Sequence, residues 1–175
     1  MKQAIGFIGL GVMGRSMAGH LLAAGYPLRV FTRTPGTASA LLERGAAWAE
    51  SPAALARACD VVFTIVGFPQ DVESVYFGAD GLIGALRPGC VLVDMTTSRP
   101  DLAARIAAAA AGRGAAALDA PVSGGDKGAR EAALSIMVGG DRENFERILP
   151  LFRIMGKNIV HQGPAGSGQH CKLCN

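Results

Sequence analysis

No apolar stretch in this sequence is long enough to cross a bilayer. The longest, near Val61–Phe68, falls far short of the ~20 residues a spanning helix needs. Charge of one sign is also lacking: 17 basic against 14 acidic residues leave a net +3. The basic residues are scattered and do not interleave with aromatics, which make up only 6% of the chain. Nucleic acid is therefore a poor candidate for the main partner. Four cysteines in a chain whose start reads as mature structure from Met1 are most simply reduced thiols. No second pair at metal-ligand spacing accompanies Cys171 and Cys174, so no metal is expected. A cytoplasmic protein is the expectation.

What the chain has in excess is glycine, 24 of 175 residues, about 14% against an average of about 7%. The glycines cluster, as turns and close backbone approaches do. Half of the residues are hydrophobic, which excludes intrinsic disorder. The length suits one domain with the start of a second. Such a domain buries about two-thirds of its unfolded surface without metal or disulfide.

Short apolar runs alternate with helical patterns almost throughout. Gln3–Ile8, Leu28–Phe31, the β-branched VVFTIV that begins at Val61, Val91–Asp94, Ala115–Asp119, Leu134–Val138 and Lys157–His161 read as strands. Met13, Met17 and Leu21 mark a first helix, and a helix runs through the alanines 103–111. Phe145, Ile148, Leu149 and Phe152 mark another, and a last helix opens near Gly166. Strand–helix alternation predicts an α/β fold, a doubly wound parallel sheet with helices on both faces.

Gly9-Leu10-Gly11-Val12-Met13-Gly14 follows the first strand and opens the first helix. In that setting the first glycine permits a tight turn. The second lets backbone approach a pyrophosphate, and the third lets helix and strand pack closely. The helix N-terminus then holds the anion. The second strand ends in Phe31-Thr32-Arg33-Thr34. No carboxylate stands there to accept from a ribose 2′-hydroxyl, and Arg33 offers donors to a 2′-phosphate. The expected cofactor is NADP, with NAD the less favoured alternative.

The stretch FIGLGVMGRSMAGHLLAAG resembles the opening of the β-hydroxyacid dehydrogenases. Three further segments fit that family in order: Asp94-Met-Thr-Thr-Ser-Arg-Pro100, Asp119-Ala-Pro-Val-Ser-Gly-Gly125 and Gly166-Ser-Gly-Gln-His-Cys-Lys172-Leu-Cys-Asn175. His20 replaces the family's usual Asn. The resemblance implies a Rossmann domain over residues 1–162. It also implies an interdomain helix starting at 163–175 and a C-terminal helical domain absent from this chain.

It implies roles as well. Gly9, Leu10, Gly11, Val12, Met13 and Gly14 would form the cofactor loop, and Thr32 and Arg33 would face the adenosine. Val66, Gly67, Phe68 and Thr96 would line the cofactor. Ser123, Gly124 and Gly125 would hold the substrate carboxylate. Lys172 would be the acid/base, with Asn175 beside it.

The chemistry is consistent with those roles. An ammonium at a carbonyl oxygen stabilises the charge that hydride addition builds and supplies the proton. Lys172 and Asn175 are three apart, on one helix face. The 6-phosphogluconate enzymes resemble Lys-x-x-His-Asn, whereas here Asn itself stands three after Lys. The implied activity is an oxidoreductase acting on a small hydroxyacid or its semialdehyde, like 3-hydroxyisobutyrate dehydrogenase. Tartronate, glyoxylate and succinic semialdehyde are alternative substrates. The intact enzyme would be a homodimer or homotetramer. The 175 residues alone would bind nucleotide but turn over weakly or not at all. A Rossmann-type sensor or structural subunit is the remaining alternative. Thr96 with Ser98 could instead cap the helix that follows.

Overall fold

The computed structural model describes residues 2–175. The chain runs β1 (Ile5–Ile8), α1 (Gly14–Ala23), β2 (Leu28–Phe31), a 3-10 turn (Pro35–Ala38), α2 (Ser39–Glu43), β3 (Ala47–Trp48), α3 (Pro52–Ala58) and β4 (Val61–Thr64). It continues α4 (Pro69–Phe77), α5 (Leu82–Ala85), β5 (Val91–Asp94), α6 (Pro100–Ala111), β6 (Ala116–Asp119), β7 (Val122–Ser123) and α7 (Gly125–Arg130). It closes with β8 (Leu134–Gly139), α8 (Arg142–Met155), β9 (Gly156–Gly163) and α9 (Ser167–Cys174).

Among these residues the strands form one sheet in the order β3-β2-β1-β4-β5-β6-β8-β7, with β9 paired to β8. From β3 to β6 every pairing is parallel, the 3-2-1-4-5-6 order of a doubly wound dinucleotide-binding sheet. The topological switch lies between β1 and β4. The parallel run stops at β6, because β8 pairs with β6 and β7 antiparallel, a departure from the all-parallel expectation. The reversal is made by β7, which pairs antiparallel with β8 across α7 and so turns the chain back along the sheet.

The central strands are buried on both faces. Ile5, Phe7, Val61, Phe63, Val91 and Val93 face one core with Met17, Leu21, Ile148 and Phe152 of α1 and α8. Val62 and Leu92 face the other with Leu55, Val72, Tyr76 and Ile106 of α3, α4 and α6. Phe7 stacks on Phe63, with ring centroids 6.0 Å apart, and Phe63 meets Phe152 edge-on. No helix among the described residues is long and apolar enough to cross a membrane.

Candidate active site

The predicted cofactor loop opens onto a cleft of about 740 Å³ beyond the carboxyl ends of β1, β2 and β4. Gly9 has φ +90°, and a Cβ there would lie 1.9 Å from the Ile65 carbonyl oxygen. A Cβ on Gly14 would lie 1.9 Å from the Gly9 carbonyl oxygen, so the turn and the helix–strand contact both demand glycine. A Cβ on Gly11 would meet nothing within 4 Å: its side of the loop is open space. The N-terminus of α1 carries no side-chain cap; Arg15 and Ser16 N–H bond back to the Gly11 and Met13 carbonyls, which leaves the N–H groups ahead of them for an anion. These features fit a dinucleotide.

Leu10, Val12, Met13, Thr32, Arg33, Val66 and Gly67 line the same cleft. Arg33 is largely exposed and pairs with Asp71 at 2.9 Å. Asp71, at the start of α4, also accepts from the Phe68 N–H at 3.1 Å. Sequence reasoning overlooked this acidic neighbour of Arg33. Two expected residues do not line the cleft. Phe68 is 69% exposed. Thr96 is buried behind the wall, where its hydroxyl accepts from the Val66 N–H at 3.0 Å. Thr96 and Ser98 cap nothing: α6 has Arg99 at its N-cap and no side-chain cap.

The substrate-side residues converge on one atom. Lys172 Nζ and Asn175 Nδ2 each donate to Ser123 Oγ at 2.7 Å. A hydroxyl that accepts twice still has its own proton to donate. Gly124 (φ +135°) and Gly125 (φ +59°) turn the chain into α7. His20 meets the far end of α7, its Nε2 lying 2.9 Å from the Ala129 carbonyl oxygen.

Behind this cluster lies a buried polar layer that sequence reasoning missed. Asp94 and Asp119 end β5 and β6 in register, and both are buried. The Asp119 carboxylate accepts from the N–H groups of Gly166 (2.7 Å) and Gln169 (2.9 Å). Gln169 is fully buried; its Oε1 accepts from Ser98 N–H and its Nε2 donates to the Thr96 carbonyl, both at 2.8 Å. Burial pushes the Asp94 carboxyl up to about 7; the Thr96 bonds oppose this and the nearby Asp119 adds to it. The signal for the layer in sequence was membership of the matched motifs: Asp94 and Asp119 open two of them, and Gln169 lies in a third.

The other tempting residues stay outside. Burial raises the Cys59 and Cys90 thiols to about 11, which keeps them unreactive. Cys171 and Cys174 are free, and no group of potential metal ligands exists among the described residues. His161 Nε2 lies 2.8 Å from the Gly140 carbonyl oxygen, and Trp48 packs beside Phe31.

Residues 4–163 match the model of the NAD binding domain of 6-phosphogluconate dehydrogenase. The chain is 55% identical over 175 residues to an uncharacterized oxidoreductase, YkwC, of Bacillus subtilis, covering all of this chain and 61% of that protein. It is 47% identical over 175 residues to an NAD-dependent L-serine dehydrogenase of Pseudomonas aeruginosa, covering all of this chain and 58% of the relative. The solved structure of Mycobacterium tuberculosis 3-hydroxyisobutyrate dehydrogenase with L-serine superposes with a TM-score of 0.92 at 39% identity, over 100% of this chain and 59% of that one. The chain thus spans about three-fifths of the length of these relatives. Fold, glycine loop and matched sequence agree: the chain belongs to the β-hydroxyacid dehydrogenase family and carries its N-terminal, NAD(P)-binding Rossmann domain.

Proposed function

We propose that the protein interconverts a small β-hydroxyacid and its semialdehyde, using NADP(H) in preference to NAD(H), with Lys172 as acid/base. The observation that carries this reading is the meeting of Lys172 Nζ and Asn175 Nδ2 on Ser123 Oγ at 2.7 Å. A bound reduced nicotinamide would supply the hydride. Lys172 would hold the aldehyde oxygen, stabilise its developing charge and donate the proton that completes the alcohol. In oxidation the same amine, neutral, would take the hydroxyl proton. Ser123, Gly124 and Gly125 would receive the substrate carboxylate, with Asn175 orienting it.

The relatives' names support the substrate class. Serine and 3-hydroxyisobutyrate share a hydroxymethyl group two carbons from a carboxylate, and differ in one substituent between them. Arg33 on the cleft supports NADP(H), and the name of the L-serine dehydrogenase favours NAD(H). Leu10, Val12, Met13, Thr32, Val66 and Gly67 would contact the nucleotide. Thr96 would act from behind Val66, and Phe68 from the rim. The free thiols of Cys59 and Cys90 support a reducing compartment.

A second reading follows from the chain's share of its relatives: these 175 residues bind nucleotide without turnover, the rest of the cleft being supplied elsewhere. One experiment addresses both. The chain and the full-length protein are titrated with NADPH and NADH, then assayed with 3-hydroxyisobutyrate, L-serine and tartronate semialdehyde. Tighter NADPH binding, and turnover that Lys172→Ala abolishes, would support the proposal. Absence of nucleotide binding, or undiminished turnover in Lys172→Ala, would refute it.

A further inference from the structure

We infer that Asp119 and Gln169 are positioning residues that set where Lys172 stands, by clamping α9 to the sheet from two sides. The inference rests on the acid/base reading of Lys172.

On its own α9 is a weak helix. It has eight residues, a left-handed glycine at its N-cap and no side-chain cap of its own. Isolated helices this short are marginal in water. Its first turn is instead held by Asp119, 47 residues away in sequence from the nearer of its two partners. One carboxylate oxygen accepts from Gly166 N–H and the other from Gln169 N–H. Asp119 is the last residue of β6, so this cap is fixed to the sheet. Charge-assisted bonds of this kind are about twice as strong as neutral ones.

The second hold is the Gln169 side chain. It is fully buried and bridges a donor, Ser98 N–H, and an acceptor, the Thr96 carbonyl. A carboxamide presents a donor and an acceptor on separate atoms of one uncharged tip. Thr96 in turn accepts from the Val66 N–H at the cleft wall. Nucleotide wall and lysine helix are thereby joined through two side chains.

Packing leaves no slack in the clamp. A Cβ on Gly168 would lie 2.4 Å from the Met137 carbonyl oxygen, and one on Gly139 would lie 2.5 Å from an Asp119 carboxylate oxygen. Lys172 follows Gln169 by less than one helical turn, so an error at Gln169 reaches it directly. A slip of one residue along α9 moves it ~1.5 Å and turns it by ~100°. The 2.7 Å bond from Lys172 to Ser123 would not survive that.

The test is steady-state kinetics of the full-length protein and its Asp119→Asn, Gln169→Met and Lys172→Ala variants, with nucleotide affinity measured separately. Asp119→Asn and Gln169→Met are each expected to lower kcat tenfold or more while the nucleotide Kd stays within twofold. Amide exchange at residues 166–175 should accelerate without change in β1 and β4. If Asp119→Asn does not fold, Gln169→Met decides. Parental kcat in these variants with an inactive Lys172→Ala overturns the inference alone. Parental turnover in Lys172→Ala overturns the acid/base reading and the inference with it. Loss of kcat and nucleotide affinity in proportion would mean a general structural role and also overturns it.

Discussion

Replacing Asp94 by Asn should make the protein more stable above neutral pH and leave it unchanged in acid. Asp94 is buried at the end of β5, and one of its oxygens accepts from the Thr96 N–H at 3.0 Å. Burial raises its pKa from 3.8 to about 7. The folded state therefore binds this proton more tightly than the unfolded chain. Between pH 3.8 and about 7 the folded chain carries the extra proton, so stability falls as pH rises through that window. Above it the full cost of burying the charge is present. At ~1.4 kcal/mol per pKa unit, the displacement is worth roughly 4 kcal/mol.

Asn has the same shape, keeps the acceptor for Thr96 and carries no charge. The expected gain at pH 8 is on the order of 2–4 kcal/mol, falling to nothing below pH 4. Urea denaturation of parent and variant from pH 4 to pH 8, followed by circular dichroism and by the single tryptophan, Trp48, measures the difference. Parallel curves for the two proteins, or an Asn variant less stable at pH 8, would refute the reasoning.

Lys172→Ala should lower turnover by ~10²–10⁴-fold with nucleotide affinity unchanged, as read by steady-state kinetics and fluorescence titration. Arg33→Asp should reverse a preference for NADPH into one for NADH in the same titration; an unchanged ratio would mean that another group reads the 2′-phosphate. The glycines of the loop should separate by mechanism. Gly14→Ala drives a Cβ to 1.9 Å from the Gly9 carbonyl oxygen and should destabilise the fold by roughly 3 kcal/mol in thermal or urea unfolding. Gly11→Ala meets nothing within 4 Å, so it should leave stability unchanged and weaken only nucleotide binding.

Features with a local cause were legible in the sequence. The glycine loop works through a positive φ at Gly9 and close packing at Gly14, and β1, β2 and β5 are short, mostly apolar runs bounded by turns. β3, with two residues, and α5, with four, are too short to show a period. The run VVFTIV predicts a longer strand than the observed β4, which ends at Thr64. Beyond it the Val66 N–H leaves the sheet ladder for the Thr96 hydroxyl, a partner 30 residues away that no local pattern reveals. The antiparallel β8 escaped for a similar reason: its composition is that of any buried strand, and direction depends on the connection before it.

The same distinction separates the residues of the candidate site. Lys172, Asn175 and Ser123 were legible because each sits in a motif with its own spacing, and the fold brings them to one hydroxyl. The residues that aim them were not, because Asp119 and Gln169 work across 47 to 73 residues of sequence. The nucleotide cleft is lined by Val66 and Gly67 but not by Ser123 or Lys172. Hydride transfer needs both halves in one geometry, since a displacement of about 1 Å can cost 10²-fold in rate. In this fold the link between them is the path from Val66 through Thr96 to Gln169 and α9. A buried carboxamide is suited to that task because, unlike Asp or Glu, it satisfies a donor and an acceptor with no charge to desolvate. Its contribution to the site is therefore one of geometry, which neither composition nor motif spacing records.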